Sequence, residues 1–222
     1  MDSSVIATLA IVALPIVFAI TLHEAAHGYV ARHFGDQTAA MLGRISLNPL
    51  RHIDPVGTIA VPLVIYFSSA MLGGSGIIFG WAKPVPVNFR ALRHPKRDML
   101  WVAAAGPGAN LVMALAWALL YKFAMETPQN LFTAAMLTMA AAGVTVNVVL
   151  MVLNLLPILP LDGGRIAVSL LPDKLAATYA RLEPYGFPIL LLLLFTNVLG
   201  VILGPAVNLS EHVIGNLFQI QL

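Results

Sequence analysis

Apolar residues run in long blocks along the chain, and four of these blocks are long enough to cross a lipid bilayer. A membrane-spanning helix needs about 20 predominantly apolar residues. The blocks of that length are 4–31, 99–124, 131–157 and 186–206. The pattern predicts an all-α polytopic membrane protein with four full transmembrane helices.

A fifth apolar block, 56–81, contains the sequence Gly-Gly-Ser-Gly at 73–76, which does not favour a regular helix. Irregular backbone is tolerated at membrane depth only where protein covers it or a wet cavity lies beside it. We expect this block to be a re-entrant or membrane-associated segment that bends at the glycines. The alternative is a full fifth span.

The composition agrees with a membrane protein. Of the 222 residues, 59% are hydrophobic and only 10% are charged, whereas a soluble domain usually has about 25% charged residues. The net charge of +2 is too small to indicate a nucleic-acid partner. Cysteine is absent, which excludes disulfides and thiol chemistry. The length predicts a single integral-membrane domain, 1–222.

The positive charges are unevenly distributed, and their distribution predicts an orientation. All of the 12 lysines and arginines except Lys122 lie in 32–98 or 158–185. Cytoplasmic loops carry an excess of these residues. We therefore expect both stretches to face the cytoplasm and both termini to lie outside, which requires that 56–81 does not cross.

The first apolar block contains the motif His-Glu-Ala-Ala-His at 23–27. Four-residue spacing puts His23 and His27 on one helical face, where they can hold one Zn²⁺, and Glu24 can reach a water bound to that ion. Ionisable residues at membrane depth are costly and usually functional. The alternative is a solvated helix end at the level of the headgroups.

A catalytic zinc needs a third protein ligand and an open position. His33 lies about 240° around the helix from His27 and faces elsewhere. Asp162 follows the third long block among apolar residues, between two prolines and two glycines, where a carboxylate needs a cation. Its alternative role is to cap a helix over 163–171. The other candidates lie in polar stretches and are expected to be solvated or capping: Asp36, His52, Asp54 and His94.

The predicted topology agrees with the choice of Asp162. The histidine pair lies at the end of the first span, and Asp162 follows the end of the third. If 56–81 does not cross, these positions meet on the same side of the membrane. If it does cross, Asp162 emerges on the opposite side from the histidines.

Three motifs in order resemble the site-2 protease family of intramembrane zinc metalloproteases. They are HEAAH at 23–27, GPGAN at 106–110 and NLLPILPLDGGR at 154–165, and the likeness extends over nearly the whole chain. The resemblance is to the compact prokaryotic branch, without PDZ or CBS domains. It implies one zinc ion per chain held by His23, His27 and Asp162, with Glu24 as the catalytic glutamate.

The hypothesis is that zinc polarises the scissile carbonyl while Glu24 activates the zinc-bound water and later protonates the leaving amine. Asn110 and Asn154 are candidate donors to the oxyanion or to the substrate. For both asparagines the alternative is interhelical hydrogen bonding.

The resemblance implies a transmembrane segment of another membrane protein as substrate, and a bacterial plasma membrane as location. A short edge strand near 85–90 would pair with an unwound substrate, the alternative being a plain loop. The tail 207–222 is expected to form an interfacial helix or a packing element. The rival functions are a metal-ion transporter using the same cluster and a scaffold with a structural zinc site.

Overall fold

The computed structural model of the protein describes residues 3–61, 63–65, 80 and 82–221. The described chain is built mainly from α-helices; the long stretch 42–94 separates the second from the third, and the other connections are short. The helices are α1 (Ser3–His33), α2 (Thr38–Met41), α3 (Pro95–Glu126), α4 (Leu131–Asn154), α5 (Asp162–Leu170), α6 (Asp173–Ala180), α7 (Glu183–Phe195) and α8 (Val198–Phe218). Single turns of other helical types occupy Pro49–Arg51, Pro55–Ala60 and Phe89–Ala91.

Four helices are long and apolar enough to cross a membrane, which confirms the predicted number. They are Ala10–His33 within α1, and the whole of α3, α4 and α8. Helix α3 begins with Pro95 in its first turn, and Asp98 accepts a hydrogen bond from the His94 backbone N–H at 2.7 Å. Helix α4 begins at a capping box between Asn130 and Thr133. Both starts satisfy backbone N–H groups that a helix otherwise leaves unpaired.

The predicted last span, 186–206, is wrong in position. Two helices, α7 and α8, occupy this part of the chain, and Asn197 between them has a left-handed backbone with φ of 59°. Such a residue interrupts helical geometry, although apart from Thr196 its neighbours are apolar. Helix α7 has 13 residues and is about 20 Å long, too short for a hydrocarbon core of about 30 Å. The long helix is α8, and it includes most of the tail 207–222.

The apolar core lies where α3, α4 and α8 meet. Small and β-branched side chains let these helices approach closely. At Gly143 of α4, a Cβ would lie 2.4 Å from the Trp117 ring of α3. The buried members of this core are Ala114, Ala118, Val144, Val148, Val152, Ile214 and Ile220. Because the last two belong to α8 and its end, the tail packs against the bundle.

One face of α3 is buried along most of its length, at every fourth residue. A spacing of four keeps side chains on one side of a helix. The buried column consists of Asp98, Val102, Gly106, Asn110, Ala114 and Ala118. Ala114 and Ala118 of this column pack in the apolar core. Gly106 and Asn110 face the histidines of α1. Packing and the candidate site therefore share one helix face.

The two ends of the predicted re-entrant block meet. The Lys83 backbone N–H donates to the His52 carbonyl at 2.8 Å, and the Arg44 guanidinium donates to the Lys83 and Pro84 carbonyls at 2.8 and 3.3 Å. That 56–81 returns to the side from which it starts stays a prediction. The predicted glycine bend at 73–76 lies outside the described residues.

The predicted edge strand at 85–90 is wrong. Residues 82–88 form no strand, and 89–91 form a helical turn. The backbone N–H of Val85 donates to a carboxylate oxygen of Glu24 at 2.7 Å, and that of Asn88 donates to Asp36 at 2.6 Å. The carboxylates of Glu24 and Asp36 therefore accept the hydrogen bonds that a partner strand would otherwise accept.

Candidate metal centre

Helix α1 places two imidazole rings side by side inside the bundle. His23 and His27 are one turn apart and are 8% and 9% exposed. Their ring centroids lie 4.7 Å apart, and their planes are nearly perpendicular. The Nε2 atoms approach to 3.1 Å. Both rings therefore direct the same nitrogen toward one point.

The third group at that point is Asp162, the first residue of α5. Its Oδ2 lies 3.3 Å from His23 Nε2 and 3.4 Å from His27 Nε2. Two glycines after Asp162 let α5 start this close to the loop before it. A Cβ on Gly163 would lie 2.2 Å from the Leu155 carbonyl oxygen, and a Cβ on Gly164 would lie 2.6 Å from the Leu159 nitrogen.

The triangle of donor atoms has the size of a zinc site. A tetrahedral zinc ion lies about 2.0–2.2 Å from its nitrogen and oxygen ligands, so that its ligands are about 3.2–3.6 Å apart. The three measured separations are 3.1, 3.3 and 3.4 Å. Among the described residues, His23, His27 and Asp162 form the one group of histidines and carboxylates close enough to hold an ion.

The hydrogen bonds behind the histidines leave lone pairs facing the centre of the triangle. His27 Nδ1 lies 2.7 Å from the Val102 carbonyl, which can only accept, so Nδ1 carries the proton of the neutral ring. His23 Nδ1 lies 2.6 Å from Asn110 Oδ1, with the same consequence. The buried Oδ2 of Asp162 has no hydrogen-bond partner. Three electron-rich atoms facing one another fit a cation, and a metal satisfies all three.

The space beside the triangle exists because position 106 of α3 is glycine. A Cβ there would lie 2.4 Å from His27 Nε2 and 2.6 Å from His23 Nε2. Any larger residue would therefore occupy the place where an ion and its fourth ligand must lie. The site fits a metal both in its donors and in the room it leaves.

The carboxylate of Asp162 is ionised at physiological pH. Burial alone would raise its pKa, but without a metal the protonated imidazoles of His23 and His27 outweigh that effect and hold the pKa at about 2. A metal cation between the three groups would replace those protons and favour the carboxylate in the same way. The start of α5 adds the partial positive charge of a helix N-terminus. Asp162 is therefore available as an anionic ligand. No side-chain cap is formed at α5, so the alternative role as its N-cap is not observed.

Comparison with known proteins decides the family. YwhC of Bacillus subtilis strain 168, a protein named as a zinc metalloprotease, is 36% identical over 210 residues, which cover 93% of this chain and 90% of YwhC. The model of peptidase family M50 matches residues 122–196, which include Asp162. The chain belongs to peptidase family M50.

Two mycobacterial proteins that are also named as zinc metalloproteases are similar to this chain. Rip2 of Mycolicibacterium smegmatis is 32% identical over 181 residues, covering 81% of this chain and 64% of Rip2. Rip2 of Mycobacterium tuberculosis strain H37Rv is 28% identical over 169 residues, covering 76% of the chain and 54% of Rip2. This chain thus spans less than two thirds of either Rip2. No solved structure matches it. The protein is an integral membrane zinc metalloprotease of family M50.

The motif glutamate of this M50 protein is held by the loop 82–88. Glu24 is half-buried, and its Oε2 accepts the hydrogen bond from the Val85 N–H. The Val85 side chain is 7% exposed and packs over Gly28 of α1, where a Cβ would lie 3.2 Å from Val85 Cγ1. The loop therefore fixes the rotamer of the acid next to the histidine pair.

The other polar residues considered as ligands serve local structure. Asp36 accepts a hydrogen bond from the Thr38 N–H through Oδ1 at 2.9 Å, and its Oδ2 accepts the one from Asn88. His52 Nε2 lies 2.8 Å from the Ser46 carbonyl, and Asp54 caps the turn at 55–60. The His33 ring contacts Phe34, and His94 precedes α3.

The two candidate oxyanion donors are hydrogen-bonded elsewhere. The Asn110 amide nitrogen donates to the Ala19 carbonyl at 3.3 Å and to Asn147 Oδ1 at 2.9 Å. In this arrangement the oxygen and both N–H groups of Asn110 have partners within the protein. Its role as a donor to the oxyanion stays a prediction. Asn154 donates to the Leu150 carbonyl of its own helix at 2.9 Å.

Asn147 belongs to the site, and the sequence motifs did not include it. It is fully buried in the middle of α4. It accepts a hydrogen bond from Asn110, whose own side-chain oxygen lies against His23 Nδ1. The available signal was its position, because an amide within an apolar span usually binds another polar group. That signal marks the residue but does not say which partner it has.

Proposed function

We propose that this M50 protein is an intramembrane protease that hydrolyses a peptide bond within or near a transmembrane segment of another membrane protein. His23, His27 and Asp162 hold one Zn²⁺, and Glu24 is the catalytic acid and base. The observation that carries the proposal is the buried triangle of three donors, with lone pairs directed inward. Three protein ligands suit a catalytic site, whereas a structural zinc normally has four.

Bound zinc supplies Lewis acidity toward a peptide carbonyl and makes water nucleophilic at neutral pH. The residues of the chain supply orientation and proton transfer. Glu24, adjacent to His23 on α1, takes a proton from the attacking water and returns it to the leaving amine. Glycine at position 106 leaves room for the substrate carbonyl beside the histidines.

The depth of the donors supports a substrate bond inside the bilayer. His23 and His27 belong to the apolar span Ala10–His33, and Asn110, hydrogen-bonded to His23, lies well inside α3. A soluble peptide would have to enter an apolar bundle to reach them. A substrate that already lies in the membrane needs no such entry from water. It needs only to unwind locally so that its backbone carbonyls are exposed.

We place the site on the cytoplasmic side of a bacterial plasma membrane. Arginines and lysines concentrate in 32–98 and 158–185, and Asp162 lies in the second of these stretches. By the positive-inside rule this is the cytoplasmic side, with both termini outside.

Replacing Glu24 with glutamine tests the proposal. Glutamine keeps the shape of glutamate but cannot accept the proton, so cleavage of a labelled transmembrane peptide should fall about 10²–10⁴-fold. Zinc content measured on the same purified protein should stay at one ion per chain. Glu126→Gln, the same change at the exposed end of α3, should leave both unchanged.

The same variant separates the rival functions. A metal-ion transporter would carry zinc into vesicles, and its flux would not depend on Glu24 as a proton acceptor. If wild type moves zinc but cleaves no peptide, the protease proposal is wrong. If Glu24→Gln cleaves at the wild-type rate, the assigned role of Glu24 is wrong.

A further inference from the structure

A chain of hydrogen bonds joins the candidate metal site to the middle of α4. It begins at the Gly143 carbonyl, which accepts from Asn147 Nδ2 at 2.8 Å. Asn147 Oδ1 accepts from Asn110 Nδ2 at 2.9 Å, and Asn110 Oδ1 faces His23 Nδ1 at 2.6 Å. Asn147 and Asn110 are both 0% exposed. The chain thus links α4, α3 and α1 without solvent.

The direction of every bond follows from the first. A backbone carbonyl can only accept, so Asn147 must turn its NH₂ group to Gly143 and its oxygen to Asn110. Asn110 must then turn its NH₂ group to Asn147, which leaves its oxygen for His23. An oxygen can only accept there, so the His23 Nδ1 carries the proton and Nε2 keeps its lone pair.

Without Asn147 the amide of Asn110 loses most of what fixes its direction. The two ends of an asparagine amide have nearly the same shape. The other partner of its NH₂ group is the Ala19 carbonyl, at a longer 3.3 Å. A flipped Asn110 would present NH₂ to His23 Nδ1. The ring proton would then move to Nε2, the atom that lies 3.3 Å from Asp162 Oδ2, and that nitrogen could not bind a metal.

We propose that Asn147 is a positioning residue of the metal site, which keeps His23 in its metal-binding tautomer by holding the Asn110 amide in one orientation. It touches neither the ion nor the substrate. The inference rests on the metal ligands of the proposed function, but not on the proteolysis assigned to them.

The test measures the zinc affinity of the purified full chain by competition with a chelator. Asn147→Leu has similar volume but no acceptor for Asn110, and should bind zinc about 10- to 100-fold more weakly, as is typical when a partner behind a metal ligand is lost. Asn147→Asp keeps the acceptor, and its protonated form can donate to Gly143, so its affinity should stay within a few-fold of wild type. Thr145→Val removes a hydrogen bond to Glu211 on the opposite face of α4 and should leave the zinc affinity unchanged.

A double variant separates orientation from packing. A carboxylate at position 110 has two acceptor oxygens and no wrong orientation, so His23 would donate to it whatever stands at position 147. Asn110→Asp combined with Asn147→Leu should therefore recover most of the zinc affinity that Asn147→Leu loses. A role in packing alone would show no such recovery.

The outcomes are distinct. Unchanged zinc affinity in Asn147→Leu, or a double variant as weak as the single one, would overturn the proposal. A wild-type chain that binds zinc but cleaves nothing would overturn the proposed protease function and leave this inference standing. A wild-type chain that binds no zinc would overturn both.

Discussion

At the scale of single residues, the candidate site depends as much on a missing atom as on its ligands. Gly106 lies in the buried column of α3, and its neighbours in that column are Val102 and Asn110, which both contact the histidines. The column thus presents a carbonyl, a gap and an amide to the two imidazole rings. Each of the three has a separate effect on the same pair of side chains.

Gly106→Ala should weaken zinc binding about 100-fold, because its Cβ would lie 2.4 Å from His27 Nε2 and one of the two must move. Displacement of an active-site group by about 1 Å is enough for a loss of that size. Gly108→Ala is the matched control, since a Cβ there has nothing within 4 Å. Chelator competition on the two variants should separate them. Equal affinities would mean that the histidines do not form the site.

The sequence was informative at this scale where spacing alone determines geometry. Four-residue spacing on a helix brings His23 and His27 together on one face, and the apolar setting of Asp162 between prolines and glycines favours it over the other candidates, in agreement with the parity of spans. The structure brings these three residues together, and their role as ligands stays a prediction. The orientation of Asn110 could not be deduced, because it depends on Asn147 of another helix and on the carbonyl behind it.

At the scale of elements, the loop 82–88 acts on α1 through its backbone. The N–H groups of Val85 and Asn88 donate to Glu24 and Asp36, and that of Lys83 donates to the His52 carbonyl. Pro84 and Pro86 have no N–H. The hydrophobic alternation around Val85 resembles a strand, but strand formation needs a partner backbone. Here the carboxylates of Glu24 and Asp36 take the place of a partner strand. The pattern of apolar positions along the sequence does not reveal this.

Val85→Pro should lower the turnover number and leave zinc content unchanged. Val85 lies between two prolines, and proline at this position removes the N–H that donates to Glu24. A hydrogen bond to a charged group contributes about 1.5–3 kcal/mol, so the turnover number should fall by about tenfold or more. Val85→Ala keeps the N–H and controls for the lost side-chain packing. If alanine and proline are equally slow, the hydrogen bond has no role in catalysis.

Helix α7 supports the loop that carries Asp162. A Cβ on Gly186 would lie only 1.5 Å from the Leu159 carbonyl oxygen, so α7 rests directly on this loop. On the other side the Tyr179 hydroxyl of α6 donates to the Pro157 carbonyl. The position of Asp162 is thus set from two helices that follow it in the chain.

Gly186→Ala should destabilise the protein by about 1–3 kcal/mol, as overpacking typically does. The expected readout is a lower midpoint of thermal unfolding in detergent, together with weaker zinc binding. Gly204→Ala in α8, where a Cβ has nothing within 4 Å, should leave both unchanged. An unchanged midpoint in Gly186→Ala would show that α7 does not press on the loop.

At the scale of the whole molecule, hydropathy predicted the number of spans but misplaced the last one. A window of apolar residues averages over the chain and passes through Asn197, whose left-handed backbone separates α7 from α8. The polar pair Thr196-Asn197 is too short to lower the average hydropathy of that window enough to mark the break. The first three spans were predicted well because polar residues bound them at both ends.

The absence of cysteine allows a direct test of topology. A single cysteine at Leu50 or at Arg90, both exposed, should react with a membrane-impermeant maleimide from one side, because the two ends of the re-entrant block meet. A cysteine at Gln129, in the exposed turn between α3 and α4, should react from the other side. Labelling of the first two positions from opposite sides would show that 56–81 crosses.

The contact between His52 and Lys83 has a consequence for how the chain tolerates change. Among the described residues, the contacts that position His23, His27, Glu24 and Asp162 involve positions outside 53–82. We therefore expect that sequence inserted between His52 and Lys83 leaves these four residues in place as long as the contact between His52 and Lys83 is kept.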